Sequence, residues 1–246
     1  MQPRSTISVN DRGKVLVSDY ESFIEIEIRN GERNVADVEV LQDLIVALQS
    51  FTRNTEYLII HGNERYFSVG FDSSCSRIKE PDFLKDVQQY AFILRRMIES
   101  FPGPVYSFVD GYALGLGFEL VLSSDITLAS ENAKFGFPDT LYGMPPLMVS
   151  LDRIREDYGK SIVNLFMTGE IISMDDSRSG LFVSRINDSI SFENLHAIIK
   201  DHNRTLHSYY KQTRTVGANN PEMFLLDAID IDKIRIRELE AFRNTL

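Results

Sequence analysis

Two carboxylates stand where packing alone would not put them. Glu119 lies inside GYALGLGFELVLSSD (111–125), among leucines, phenylalanine and valine. An ionised carboxylate costs several kcal/mol to strip of water without a partner, so this one is either satisfied or used. Asp139 lies in AKFGFPDTLYGMPP (133–146), after Phe135, Phe137 and Pro138. A carboxylate beside aromatic rings is a candidate acid or base, while an Asp after Pro is also an ordinary turn residue or cap. A third stretch, ERYFSVGFDSS (64–74), follows the apolar run EYLIIHG. Its glycine permits a tight turn whose backbone N–H groups point outward as an oxyanion grip, although a plain glycine turn with Asp72 capping a helix reads the same way. In GYALGLGFEL, Gly115 and Gly117 open a helix, where unpaired N–H groups and the positive dipole end favour developing negative charge. Close helix-to-sheet packing accounts for the same glycines. The chemistry these residues share is proton transfer beside an anion-stabilising pair of amides.

Other chemistries lose support. The chain has no G-x-S-x-G elbow, no H-E-x-x-H helix and no GK[ST] phosphate loop. Four scattered histidines (His61, His196, His202, His207) show no zinc-ligand spacing, so no metal site is expected, and the lone Cys75 has no base in its sequence context. A formal net charge of −10 argues against general affinity for nucleic acid or an anionic membrane surface. The N-terminal MQPRSTISVND has no secretory pattern, and no stretch reaches the roughly 18 apolar residues of a membrane span. The expected location is cytoplasmic.

Elements must hold these residues in place, and 246 residues with 43% hydrophobic content can bury a substantial core. KVLVSD (14–19) and SFIEIEIR (22–29) read as strands, the second setting Ile24, Ile26 and Ile28 against Phe23, Glu25 and Glu27. Asp37 is placed to cap an amphipathic helix carrying Val38, Leu41, Leu44, Ile45 and Leu48. EYLIIHG (56–62) and GPVYSFVDG (103–111) read as strands flanking a long helix over 80–101 that starts near Pro81 and Asp82. Gly115 to Ser123 gives about two helical turns, and DITLA (125–129) another strand. The stretch 133–146 reads as a loop, and from about residue 148 the pattern is helical almost throughout. Strands alternating with helices imply crossover connections and an α/β class.

The order of these motifs resembles the enoyl-CoA hydratase/isomerase, or crotonase, superfamily. FIEIEIRNGERNVADVEVLQDLIVAL is similar to its strand, Arg-Asn-Ala turn and first helix, and LIIHGNERYFSVGFD to its Phe-Ser-Ala-Gly-Ala-Asp element. VDGYALGLGFELVLSSDITLA resembles its glycine-rich helix start, and AKFGFPDTLYGMPP its Phe-Gly-x-Pro-Glu loop. Together they cover roughly residues 23 to 185.

The resemblance implies a crotonase-like spiral of β-β-α repeats over residues 1–190, and a C-terminal helical region over 191–246 that builds homotrimers, often paired into hexamers. It implies an acyl-CoA thioester as substrate, with no cofactor beyond the coenzyme A that the substrate itself carries. It places the two oxyanion amides at Phe71 and Leu116, the acid/base carboxylates at Glu119 and Asp139, and substrate-binding positions at Val35, Ser68, Val69, Asp72 and Gly115. Four features differ from the family pattern: Asp139 stands where glutamate is usual, Leu116 replaces a glycine, Phe71 an alanine, and LMVS (147–150) a glycine-rich run. The leading activity implied is 2-enoyl-CoA hydration, with double-bond isomerisation as its rival. A third reading keeps the fold and thioester pocket without turnover.

Overall fold

The computed structural model describes residues 2–20, 22–49, 51, 55–72, 77, 80–185 and 199. Contacts divide the chain into two compact units, Met1–His202 and Asn203–Leu246, and every described residue belongs to the first. The helical readings of SFENLHAIIKDHNRTLHSYYKQT and IDIDKIRIRELEAFRNTL, and with them the C-terminal oligomerisation region, lie outside the described residues, Ile199 excepted.

Three antiparallel strands begin the larger sheet: β1 (Ser5–Ser8), β2 (Val15–Asp19) and β3 (Phe23–Ile28). The chain then repeats one unit. β3 is followed by the short β4 (Val35–Ala36) and helix α1 (Val38–Gln49). β5 (Tyr57–His61) leads to β6 (Tyr66–Ser68), β7 (Gly70–Phe71) and α2 (Pro81–Ser100). β8 (Val105–Val109) leads to β9 (Tyr112–Leu114) and α3 (Leu116–Ser123), and β10 (Ile126–Ala129) to β11 (Lys134–Gly136) and a 3-10 turn over Pro138–Tyr142. In each later unit the first strand joins the seven-stranded sheet and the next joins the four-stranded one. β3, β5, β8 and β10 run parallel in the first, and β6, β9 and β11 parallel in the second. This is the spiral of β-β-α repeats that the motif order implies.

The period of each segment explains its place. β3 turns Ile24, Ile26 and Ile28 to the main core with α1 and α2, while Phe23 joins Tyr57, Ile59, Tyr106, Phe108, Leu128 and Ile199 in a second cluster. β5 and β8 feed both clusters, and so are buried on both faces and do not alternate, Ser107 being the buried polar residue within β8. Asp37 Oδ1 accepts the Val40 N–H at 2.9 Å, capping α1 as its position predicts. α2 begins at Pro81 and buries Phe83, Val87, Ala91, Leu94 and Ile98 along one stripe. Every residue of α3 is buried, which makes it the central helix.

Two expectations fail. The run from residue 148 is not helical throughout. α4 (Leu151–Tyr158) and α5 (Lys160–Thr168) are separated by Gly159 at φ +77 and ended by Gly169 at φ +66, after which β12 (Ile171–Ser173) and β13 (Ser184–Arg185) return to the sheets. These strands are too short for a period to show, and their pairing partners lie far away in sequence. The stretch 133–146 is likewise not all loop, because β11 occupies its start.

Candidate active site

Three chain reversals meet where the small sheet ends. Ser68 closes β6, buried, with its Oγ accepting the Gly70 N–H at 3.1 Å. Gly70 has φ +94, and a Cβ built on it would stand 2.8 Å from Leu114 O, 3.1 Å from Asp139 Oδ2 and 3.2 Å from Leu116 N. Gly115 has φ +50, and a side chain there would overlap the Asp139 carboxylate. Both positions therefore demand glycine for backbone conformation and for space. Leu116 opens α3, so its N–H has no acceptor within the helix. Phe71 follows Gly70 in β7, which pairs with β4 through Val35 opposite Gly70 and Ala36 opposite Phe71.

The structure thus brings Val35, Ser68, Phe71, Gly115, Leu116 and Asp139 into one corner. Val69 is half-buried and donates its N–H to Arg33 O at 3.2 Å. Asp72 is half-buried and directly follows Phe71, the last residue of β7. A small cavity walled by Ile28, Ala36, Leu94, Leu116 and Met148 lies on the α1 side.

The two carboxylates differ in how they are held. Asp139 sits in the first turn of the 3-10 segment, half-buried, and no hydrogen-bond donor among the described residues reaches its carboxylate. Burial alone pushes its pKa up from 3.8 to about 6. Glu119 lies one helical turn into α3 and is 2% exposed. Its Oε1 accepts the Leu147 N–H at 3.0 Å, and its Oε2 accepts the N–H groups of Met148 at 2.6 Å and Val149 at 2.8 Å. Burial pushes Glu119 up to about 7; the three amides pull it down, and the nearby Asp139 charge adds to the rise. The sequence left open whether this carboxylate is satisfied, and its partners are backbone amides in the LMVS run, where side-chain identity carries no sign of them.

Among the described residues, no helix is long and apolar enough to cross a membrane, and no group of three or more His, Cys, Asp or Glu could hold a metal ion. The sequence matches the family model for enoyl-CoA hydratase/isomerase over residues 18–199. The 2,3-dehydroadipyl-CoA hydratase of Escherichia coli is 30% identical over 177 residues, which are 70% of this chain and 69% of that protein. A carnitinyl-CoA dehydratase of Salmonella agona is 30% identical over 67% of this chain and 64% of its own. Among solved structures, an enoyl-CoA hydratase from Bacillus anthracis superposes with a TM-score of 0.77 at 21% identity, covering 94% of this chain and 96% of that one. One from Geobacillus kaustophilus superposes with a TM-score of 0.80 at 16% identity, covering 94% of each. The spiral of β-β-α repeats, the two glycine turns and the matched residues lead to one conclusion: the chain belongs to the enoyl-CoA hydratase/isomerase family of enzymes.

Proposed function

We propose that this chain hydrates a 2-enoyl-CoA thioester at the corner between β7, α3 and the 3-10 turn. The observation that carries the reading is the Asp139 carboxylate, to which no described residue donates, set against Gly70 and Gly115 beside the amide that opens α3. The thioester oxygen accepts the N–H groups of Phe71 and Leu116, which draws electrons from the double bond toward the carbonyl. Ionised Asp139 takes a proton from water as the water oxygen bonds to the β-carbon. The resulting enolate rests on the two amides, and protonated Glu119, raised to about 7 against about 6 for Asp139, delivers a proton to the α-carbon. Water is added, and passage of a proton from Asp139 to Glu119 restores both groups. Losing one oxyanion donor from such a site typically costs about 3 kcal/mol in the transition state. The hydratase and dehydratase relatives, both named for CoA thioesters, support this direction of chemistry.

Val35, Ser68, Val69, Asp72 and Gly115 form the proposed thioester-binding wall. The reaction calls for no cofactor, since coenzyme A arrives as part of the substrate. A homotrimer or hexamer in the cytoplasm is proposed on the family resemblance. Isomerisation is the second reading, favoured by the occupation of both Glu119 oxygens, because one carboxylate suffices to move a proton between carbons.

The test is mass spectrometry of crotonyl-CoA incubated with the purified protein in heavy water. Gain of one water supports hydration. Protein-dependent deuterium uptake or a shifted double bond without hydration selects isomerisation, and binding with neither outcome sinks both readings.

A further inference from the structure

We infer that the Leu116 side chain is a positioning group: seated in the core beside α1 and α2, it holds its own backbone N–H in line for the thioester oxygen. This rests on the thioester reading above for its chemistry and on the packing of α3 for its mechanics. Leu116 is the first residue of the helix, so no acceptor within α3 fixes its N–H. The Gly115 carbonyl, in the same peptide plane, accepts the Glu119 N–H at 3.0 Å, so the amide moves with the first turn of α3 as one body. Where that body points is set by its side chains. A helical N–H lies along the axis while the side chain leaves it sideways, so one residue offers its amide to the corner and its isobutyl group to the core. Leu116 is 3% exposed and lines the small cavity with Ile28 of β3, Leu41 and Leu44 of α1 and Leu94 of α2.

The neighbouring residues of α3 do not duplicate this contact. Gly117 is pressed against β6, where a Cβ would stand 2.6 Å from Ser68 O, but it has no side chain to grip with. Phe118 lies about 200° round the helix from Leu116. Its ring is held on that opposite side, 4.8 Å from Phe137 and 5.5 Å from Phe135 between centroids. Leu120 lines the same cavity as Leu116 but one turn further in, which leaves Leu116 as the contact nearest the amide. The first turn is thus held from two sides, and the cavity beside Leu116 is the space into which it would tilt if that side chain were cut back. Tilting would alter the corner directly, since a Cβ built on Gly70 stands only 3.2 Å from Leu116 N.

The experiment measures two quantities in wild type, Leu116→Ala and Leu44→Ala: the 15N order parameter of the residue 116 amide, and the carbonyl stretch of bound 13C-labelled butyryl-CoA, whose saturated chain takes no water. Leu44→Ala opens the same cavity from the α1 side and controls for a loss of packing alone. The expected order parameter is about 0.85 in wild type and below about 0.6 in Leu116→Ala. The carbonyl stretch, lowered on binding to wild type, moves at least about halfway back to its free-solution position in Leu116→Ala. Turnover of crotonyl-CoA by that variant falls about 10²-fold with KM changed less than about threefold and the acid limb unmoved, as a misplaced donor requires. Leu44→Ala keeps the order parameter and the carbonyl shift, and Leu116→Met, about as large as leucine, recovers most of that shift. The inference is overturned if Leu116→Ala leaves both quantities as in wild type, or if Leu44→Ala loses as much as Leu116→Ala. Should Leu116→Ala not fold, Leu116→Val, one methylene smaller than wild type, is judged by the same two quantities. An unshifted carbonyl in wild type would defeat the thioester reading alone, leaving the order parameters to judge the anchor.

Discussion

The start of α3 and the 3-10 turn over Pro138–Tyr142 present the same chemical group in opposite ways. At α3, Glu119 is enclosed, with three amides on its two oxygens. In the turn, Asp139 has no donor among the described residues, and its flank includes Leu141 at 65% and Tyr142 at 88% exposure. Burial raises the pKa of both, yet among the described residues only the first carboxylate accepts hydrogen bonds. A perturbed pKa thus marks both groups alike, while the hydrogen-bond donors around them differ.

The sharpest way to break this contrast is Asp139→Asn. It should cut turnover by about 10³-fold while leaving thioester affinity within about twofold, read by steady-state kinetics and calorimetry. Retained turnover would leave Glu119 as the one carboxylate of the pair that handles the proton. Next in size is Glu119→Ala, which leaves three buried amides without an acceptor and should destabilise the fold by about 3 kcal/mol in urea denaturation. A loss below about 1 kcal/mol would mean that the enclosure does not hold the run.

A smaller effect sharpens the Asp139 side. Its folded pKa of about 6 exceeds its ordinary 3.8, so the stability this group contributes is complete below the ordinary value and is lost as pH rises through 6. Asp139→Asn does not titrate there and also removes the charge that adds to the rise of Glu119, so both changes act in the same direction. The variant's Tm should therefore gain about 4 °C on wild type between pH 4 and 7.5 by calorimetry. An unchanged or reversed gap would contradict the burial. Smallest is Tyr142→Ser, expected to change stability by no more than about 0.5 kcal/mol in urea. A larger change would make the exposed flank part of the site.

What could be read from sequence followed from local physics. The alternation in SFIEIEIR located β3, Asp37 located the cap of α1, and Pro81 located the start of α2. β1, β12 and β13 escaped because two to four residues carry too little period to register. Gly70, Gly115 and Asp139 stood out by type, and folding brought them together. The donors to Glu119 did not stand out: they lie 28 to 30 residues further along and act through the main chain, which every non-proline residue has alike. A glutamate inside an apolar helix shows in sequence that something must satisfy it, but not what.

The Tyr158 hydroxyl, at the end of α4, donates to Leu122 O at 2.6 Å. With Glu119 gripping the segment just before α4, the helix is pinned to α3 at two levels, about 4.5 Å apart along the axis at 1.5 Å per residue. One pin permits a pivot in any direction; two confine it to rotation about the line that joins them, so the start of α4 and its end are each tied to the helix that carries the proposed oxyanion amide.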